Sequence, residues 1–456
     1  MTHKINHYTD IPLNDKATFE MIATTDNVGL FQVSSVGMSR LMNKLKPKNI
    51  QELGTIISLY RPGPLDSGVT QEYIKRKESG EIAYDHPKLE PILKDTLGLF
   101  IYQEQIIATC VQLAGFDEAK ADTVRKMMGK KDRKALPKLK KRFIEGCTKN
   151  EIKNANELWN KMETFSNYGF SLNHAIGYAH ITYYTAYLKA HYPVQFYAAL
   201  MNTAKDPEEL QKYITDAVKN KIEILLPDVI KSDYYFKPEG KKIRFGLIGV
   251  YSVGKEIAQE IKGKSYEQCL SFLPKDNLEY LIKGGAFDGF NPNRAELLYL
   301  YSNKKPKKSF RKGLFSYKTE YNIKKWTEDE QLREQFLALR IYIKENPLNV
   351  FIRRHLGYRH QKSKYYLRRS FKHLKENSEI RTFGMITTLR IIKDRRDRSM
   401  AIGEYLDIWN QRVKCVFFST QLELLKPRKE MYEITGIVQN PDELSIIVKD
   451  LNKMED

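Results

Sequence analysis

"EILLPDVIKSDYYFKPEGKKIRFGLIGVYSVG", residues 223–254, is where the texture of the chain changes. Upstream, apolar residues recur at the three- and four-residue spacing of helices. Inside the stretch, Pro227, Pro238 and several glycines punctuate short β-like runs. Each proline or glycine interrupts regular structure, so a domain boundary is expected near 225–245.

Outward toward the N-terminus the chain reads as mostly helical over 1–230. "GMSRLMNKLKP" (37–47) carries apolar residues at helical spacing, and "FDEAKADTVRKMMGKKD" (116–132) starts acidic and ends basic, which suits a helix dipole. "PKLEPILKDTLGLFIYQEQIIATCVQLAG" (87–115) predicts a short helix and then a longer one, with further helices over 151–166 and 175–202. "SLYRPGPLDSG" (58–68) is expected to be a loop. Toward the C-terminus, 245–300 reads as short helices, "SNKKPKKSFRKG" (302–313) as a charged linker, and 328–343 as a helix. Residues 353–377 are basic and aromatic without a clean period. From 379 onward, four polar-bounded stretches read as successive strands: "EIRTFGMITTLRIIKD", "SMAIGEYLDIWNQRVKCVFFS", "EMYEITGIVQN" and "ELSIIVKDL". Strands joined by short polar turns predict a small barrel, with the OB-fold as the leading form. The expected class is multidomain and mainly α, with a C-terminal all-β barrel of OB type.

The net charge of +20 over 456 residues favours a polyanion such as DNA, RNA or an anionic membrane; a solvated surface is the plainer alternative. No apolar run approaches the ~20 residues needed to span a bilayer. The start, "MTHKINHYTDIPLND", lacks the charged and apolar regions of a signal peptide. Cys110, Cys147, Cys269 and Cys415 form no CxxC pair, which argues against zinc and against a disulfide scaffold, and a reducing cytoplasm is expected.

Four segments could carry chemistry. "VRKMMGKKDRK" (124–134) sets Arg125, Lys126, Lys130 and Lys131 around Gly129, so several cationic heads can converge on a polyphosphate. A solvated basic face is the alternative. "NYGFSLNHAIGYAHITYYTAYLKAHYP" (167–193) sets Tyr168, Asn173 and His174 among small residues, which permit close approach of a stacking or hydrogen-bonding substrate. His174 and His180 lack an acidic partner at ligand spacing, so metal binding is the weaker reading there. In "FGLIGVYSVGKEIAQEIKGK" (245–264), a turn bounded by Gly249 and Gly254, with Ser252 inside it and Lys255 after it, has the pattern of a helix-hairpin-helix. Hairpin N–H groups in that module meet DNA phosphates without reading sequence. A plain helix N-terminus is the alternative. Leu314 and Phe315, in "RKGLFSY", form an apolar pair inside the charged linker, a pattern that docks into partner pockets or packs locally.

Taken in order, "GLFQVSSVGMSRLMNKLKP", "SLYRPGPLDSG", "GLFIYQEQI", "VRKMMGKK", "YGFSLNHAIGYAHITYYTAYLKAHYP", "KGGAFD" and "LALRIYIKENPL" resemble the C-family replicative DNA polymerases of bacteria, the polymerase III alpha type. The resemblance covers nearly the whole chain. It implies fingers over 1–230, a tandem helix-hairpin-helix domain over 231–300, a linker with a clamp-binding peptide over 301–325, a helical and basic connector over 326–378, and an OB-fold domain over 379–456. It further implies that Arg61, Arg125, Lys126, Lys130, Lys131 and His174 line the triphosphate of an incoming dNTP, with Tyr168 and Asn173 in the same pocket. Gly249, Ser252, Gly254 and Lys255 would grip template-primer DNA, and Leu314 and Phe315 would meet a sliding clamp. The clamp peptide departs from the family pattern, with Arg311 where glutamine is usual.

A larger departure concerns the palm. The family's PDxDxDF-like and KFDFLGL-like aspartate motifs are not found in this sequence. The expectation is the C-terminal half of a split polymerase, from a phage or another mobile genome, or of a longer polymerase cut at this point, in which a palm-bearing chain supplies the catalytic aspartates and holds Mg2+. This chain alone would be inactive. The alternative is a non-catalytic, DNA-binding accessory protein descended from a polymerase. A self-sufficient nuclease would need clustered carboxylates, and Glu104 and Asp122 are the best local acids without metal-pair spacing. No membrane partner is expected.

Overall fold

The computed structural model describes residues 5, 7–166, 168–303, 323–343, 375–393, 397–407, 412–425, 431–440 and 445–453. It divides into two compact units, Met1–Leu200 and Met201–Asp456.

The first unit is built on helices around two hydrophobic cores. One core gathers Leu53 and Ile56 of the helix Ile50–Leu59 against Ala175, Ala179 and Tyr183 of the long helix Leu172–His191. The other joins Gln103–Ala114, Glu118–Lys130, Leu136–Lys149 and Ala155–Phe165 around Val124, Phe143 and Trp159. Small residues let these helices approach: a Cβ on Gly146 would collide with the carbonyl oxygen of Ala114. The acidic start and basic end of 116–132 do make a helix, with the Asp117 carboxylate accepting from the N–H of Lys120. The segment 58–68 differs from the expected loop. The helix Ile50–Leu59 runs into it, and Pro62–Asp66 forms a further helical turn. Pro62 stands at its first position, where a missing N–H removes no hydrogen bond.

Asp15 ties the helix Lys16–Ile22, which it caps, to the long one. Its carboxylate accepts from the N–H and hydroxyl of Thr18, at 2.8 and 2.7 Å, and lies 2.8 Å from Nε2 of His191. Burial pushes the carboxyl up, but the hydrogen bonds from His191 and Thr18 outweigh it and leave the group below its usual pKa. A depressed folded-state pKa stabilises the fold above the unfolded value of about 4, and the contribution is lost as pH falls through the folded value. Asp15→Ala should cost about 1–2 kcal/mol in urea denaturation at pH 7, the range of a lost cap. The gap to wild type should close below pH ~4, and a cost that does not vary with pH would refute this account.

The second unit opens with the change of texture seen in the sequence. Ile224–Leu225, Lys237–Glu239 and Lys242–Arg244 form a three-stranded sheet, the last two pairing antiparallel across Gly240. The helix Pro207–Lys219 lies N-terminal to that sheet yet belongs to this unit. Gln211 exchanges hydrogen bonds with the backbone of Tyr342 at 3.0 and 2.8 Å, which ties the helix to the segment after Glu328–Leu339. Short helices follow as expected: Lys255–Ile261, Tyr266–Phe272, Lys275–Gly284 and Arg294–Asn303. The buried Arg294 forks onto Asp288 at 2.7 and 2.6 Å and reaches the carbonyl of Lys283 and the amide oxygen of Gln335. A buried guanidinium requires this degree of pairing.

Five C-terminal strands, Glu379–Lys393, Ser399–Asp407, Arg412–Phe418, Met431–Asn440 and Ser445–Lys453, close into a barrel in the order first, second, third, fifth, fourth, the second of the four expected stretches dividing into two strands. The third and fifth strands pair parallel. The first strand, Glu379–Lys393, is 15 residues long and serves two neighbours, pairing with the fourth strand along its first half and the second strand along the rest. Its register shifts between Ile386 and Thr388, a bulge that bends the strand around the barrel. Gly384 sits where a Cβ would strike the carbonyl oxygen of Leu406. Ile386, Tyr405, Phe417, Tyr432 and Val448 fill the interior. This is a barrel of the expected OB type.

Candidate functional site

In the first unit the site forms at the seam between the two cores. Tyr102 and Phe170 make an isolated parallel β-bridge, and the N–H of Gln103 donates to the carbonyl of Phe170 at 2.8 Å. That bridge fixes the segment 168–171 just before the long helix. Arg61 reaches it from the first core: Nη2 donates to the Tyr168 carbonyl at 3.1 Å, Nε donates to the Ser58 carbonyl at 3.2 Å, and the guanidinium carbon lies 4.0 Å over the Phe170 ring. Burial lowers its pKa, but arginine stays charged at neutral pH. Gly63 makes room for Tyr168, whose Cβ would meet any side chain there.

Arg125 reaches the same segment from the second core. Its Nη1 donates to Oε1 of Gln103 at 2.9 Å, and Nε2 of Gln103 donates to the Gly169 carbonyl at 3.1 Å. The Nε of Arg125 donates to Asp122 at 2.8 Å, and Lys126 pairs with the other Asp122 oxygen at 2.7 Å. Those hydrogen bonds, from Lys126 first and Arg125 second, hold the Asp122 carboxyl below its usual pKa. Lys130 is exposed near the end of the same helix, four residues beyond Lys126 and so on the same face. Lys131 follows as its left-handed cap, φ +53°. Asn173 and His174 are exposed in the first turn of the long helix, and the His174 ring lies between Phe170 and Tyr178, at 5.1 and 4.0 Å between centroids. Gly177, one turn on, has open space where a side chain would stand. Arg61 directly and Arg125 through Gln103 are thus tied to one short backbone segment, with exposed lysines further along the helix of Arg125, cations able to bind a polyphosphate.

The two acids singled out from the sequence are both occupied. Glu104 caps the long helix, accepting from the Ser171 hydroxyl at 3.0 Å and the Leu172 N–H at 2.9 Å. Asp122 has both oxygens paired with cations. Among the described residues, no three His, Cys, Asp or Glu side chains come together to hold a metal. The Nδ1 of His180 donates within its own helix to the Ile176 carbonyl oxygen at 2.8 Å. Among the described residues, no donor set gathers the oxygen ligands that Mg2+ takes.

In the second unit, the predicted turn is a hairpin leading into the helix Lys255–Ile261, with Gly254 at its N-cap. Ser252 is left-handed, φ +66°, and its carbonyl and hydroxyl both accept from Asn277. Gly254 and Lys255 are exposed, and nothing stands near the Cβ position of Gly254, so the backbone is open to a ligand. Gly249 has a different reason to be glycine: a Cβ would run into the Phe245 ring at 2.6 Å. Leu314 and Phe315 lie outside the described residues.

The sequence reading identified the cations but missed what organises them. Nothing in "YQEQ" marks Gln103 over its neighbour Glu104, whereas the spacing of Asp122 to Arg125 and Lys126 is that of helical ion pairs and leaves its carboxylate occupied. Phe170, the aromatic base for Arg61, had no signal beyond its place in a dense motif.

Residues 2–151 match the bacterial DNA polymerase III alpha subunit finger domain, and residues 221–297 match a helix-hairpin-helix motif. The DNA polymerase III subunit alpha of Aquifex aeolicus is 34% identical over 450 residues, 95% of this chain and 38% of that protein. That of Thermus aquaticus is 39% identical over 313 residues, 64% of this chain and 25% of that protein. That of Chlamydia muridarum is 30% identical over 98% of this chain and 39% of that protein. The chain therefore spans well under half the length of these relatives. No helix among the described residues is long and apolar enough to cross a membrane.

Proposed function

We propose, for a chain related to the DNA polymerase III alpha subunits through its finger and helix-hairpin-helix regions, that it is the nucleotide- and DNA-holding part of a replicative DNA polymerase. Arg125, Lys126, Lys130 and Lys131, with Arg61 and His174, bind the triphosphate of a dNTP, and Tyr168 and Asn173 border its base and sugar. Gly254, Lys255 and Ser252 meet template-primer DNA, with Gly249 shaping the hairpin from behind. The observation that carries this reading is the convergence of Arg61 directly, and of Arg125 through Gln103, from separate cores, on the backbone of 168–170.

Polymerisation needs metal-held carboxylates to activate the 3′ hydroxyl and to neutralise the leaving pyrophosphate. Among the described residues no carboxylate cluster offers them, so in this proposal the palm aspartates and Mg2+ are supplied from outside residues 1–456. Contact of Leu314 and Phe315 with a sliding clamp belongs to the same proposal. The test is primer extension by this chain mixed with a palm-bearing polypeptide of the same genome, against each alone. Extension only in the mixture is expected. Activity of neither alone nor the mixture would sink the split-enzyme reading. Duplex binding that ignores nucleotide would then favour a DNA-binding accessory protein, the reading that the occupied Glu104 and Asp122 also allow.

A further inference from the structure

Behind the hairpin of the second unit lies a cleft of about 430 Å³, open on one side. Its walls come from the start of the helix Pro207–Lys219, from the hairpin 248–254, and from Leu339 and Arg340 at the end of the helix Glu328–Leu339. Arg340 is the unexpected member. It caps its helix in the left-handed conformation, φ +58°, a position that glycine occupies without strain. Its guanidinium carbon lies 3.8 Å over the Tyr251 ring, in the middle of the hairpin. Tyr251 is held in turn by its N–H, which donates to the Ala338 carbonyl at 2.7 Å, and by an edge contact with Tyr280 at 4.7 Å. The Nε of Arg340 is buried and has no hydrogen-bond partner, and no carboxylate pairs with the group among the described residues. A desolvated guanidinium donor without an acceptor is costly to leave so.

Because that Nε is closed off, a ligand entering from the cleft would meet the terminal amino groups of Arg340, and the surroundings favour an anion there. Lys205 stands exposed on the cleft wall. The one acid lining the cleft, Asp206, already accepts from the N–H of Glu209 at 2.8 Å. Ser252 and Gly254 bring the exposed hairpin backbone to the same rim. A planar fork stacked on an aromatic ring is pre-aimed, so it binds a phosphate oxygen pair with little loss of side-chain freedom.

We propose that Arg340, stacked on Tyr251, is a further phosphate-contacting residue, which extends the hairpin's grip on nucleic-acid backbone from outside the helix-hairpin-helix segment 221–297. It takes a backbone phosphodiester of duplex DNA next to the one met by Gly254 and Lys255. The inference rests on the DNA-binding reading given above.

The experiment is fluorescence anisotropy of a labelled primer-template duplex with the full chain, titrated at several salt concentrations. Arg340→Gly suits the left-handed backbone, so it removes the charge without straining the cap. It is expected to weaken duplex binding about 5- to 10-fold at ~0.1 M salt and to reduce the slope of log K against log salt by about one, the signature of one lost phosphate contact. Arg340→Lys keeps the charge without the stacked fork. It should keep the slope and fall between wild type and Arg340→Gly in affinity. Steep salt dependence in wild type, with affinity and slope unchanged in Arg340→Gly, would overturn the assignment and leave the DNA-binding reading standing. A wild-type chain that binds duplex weakly and without salt dependence would overturn both. Should Arg340→Gly fail to fold by circular dichroism, the Lys variant decides: affinity equal to wild type counts against the fork.

Discussion

Arg125→Ala is expected to weaken dNTP binding about 10- to 100-fold, on the order of the 1.5–3 kcal/mol carried by hydrogen bonds to a charged group. Equilibrium dialysis with a labelled dNTP would measure it directly on this chain. In a reconstituted polymerase the loss should appear mainly in the nucleotide KM, because Arg125 is read here as a ground-state binder of the triphosphate. The fold should survive, since Arg125 lies on a partly exposed helix face and the buried residues of that helix are Ala121, Val124 and Met128. Asp122→Asn supplies the opposite sign. In the free protein one carboxylate neutralises both Arg125 and Lys126. Removing its charge should tighten triphosphate binding up to about 5-fold, the scale of a partly exposed ion pair. A site that merely solvates its cations would show neither change, and loss of affinity in both variants would mean that Asp122 positions Arg125 more than it competes with the ligand.

The helical half and the barrel were legible because their signals are local. The acidic-to-basic order of 116–132 is a helix rule, and alternation from 379 onward is a strand rule. The bulge at Thr387 was not legible, because it arises from one strand serving two neighbours. The helical turn at Pro62 was missed for a related reason: proline reads as a breaker unless one knows that it stands first in its helix. At the site, the cations announced themselves by composition and by family resemblance. Their organisation did not, since Gln103 and Gly169 are joined across 66 residues by side-chain geometry. Arg340 shows the same limit: nothing in "LALRIYI" says that its cap is left-handed or that Tyr251 lies beneath it.

Trp159→Ala is expected to have the largest effect on stability, about 3–5 kcal/mol, the usual range for emptying a buried aromatic site. Trp159 is fully buried, its ring lies 5.4 Å from Phe143, and its Nε1 donates to Glu163 at 3.2 Å. It belongs to the core that carries Arg125, Lys126, Lys130 and Lys131, whereas Arg61 and His174 project from elements packed on the other core. The substitution should therefore lower the midpoint of urea unfolding in the first unit and weaken dNTP binding through loss of the helix Glu118–Lys130. The barrel has its own closed core, and its unfolding should stay where it is in wild type. Trp159→Phe, which keeps most of the ring volume, should recover most of both losses, because volume-conserving swaps are the best tolerated in packed interiors. Urea titration followed by circular dichroism, paired with dialysis against labelled dNTP, separates the outcomes. If dNTP affinity stayed at the wild-type value under conditions where Trp159→Ala has unfolded the core that carries the helix Glu118–Lys130, the cations on that helix would not be part of the nucleotide site, and the seam between the two cores would lose its proposed role.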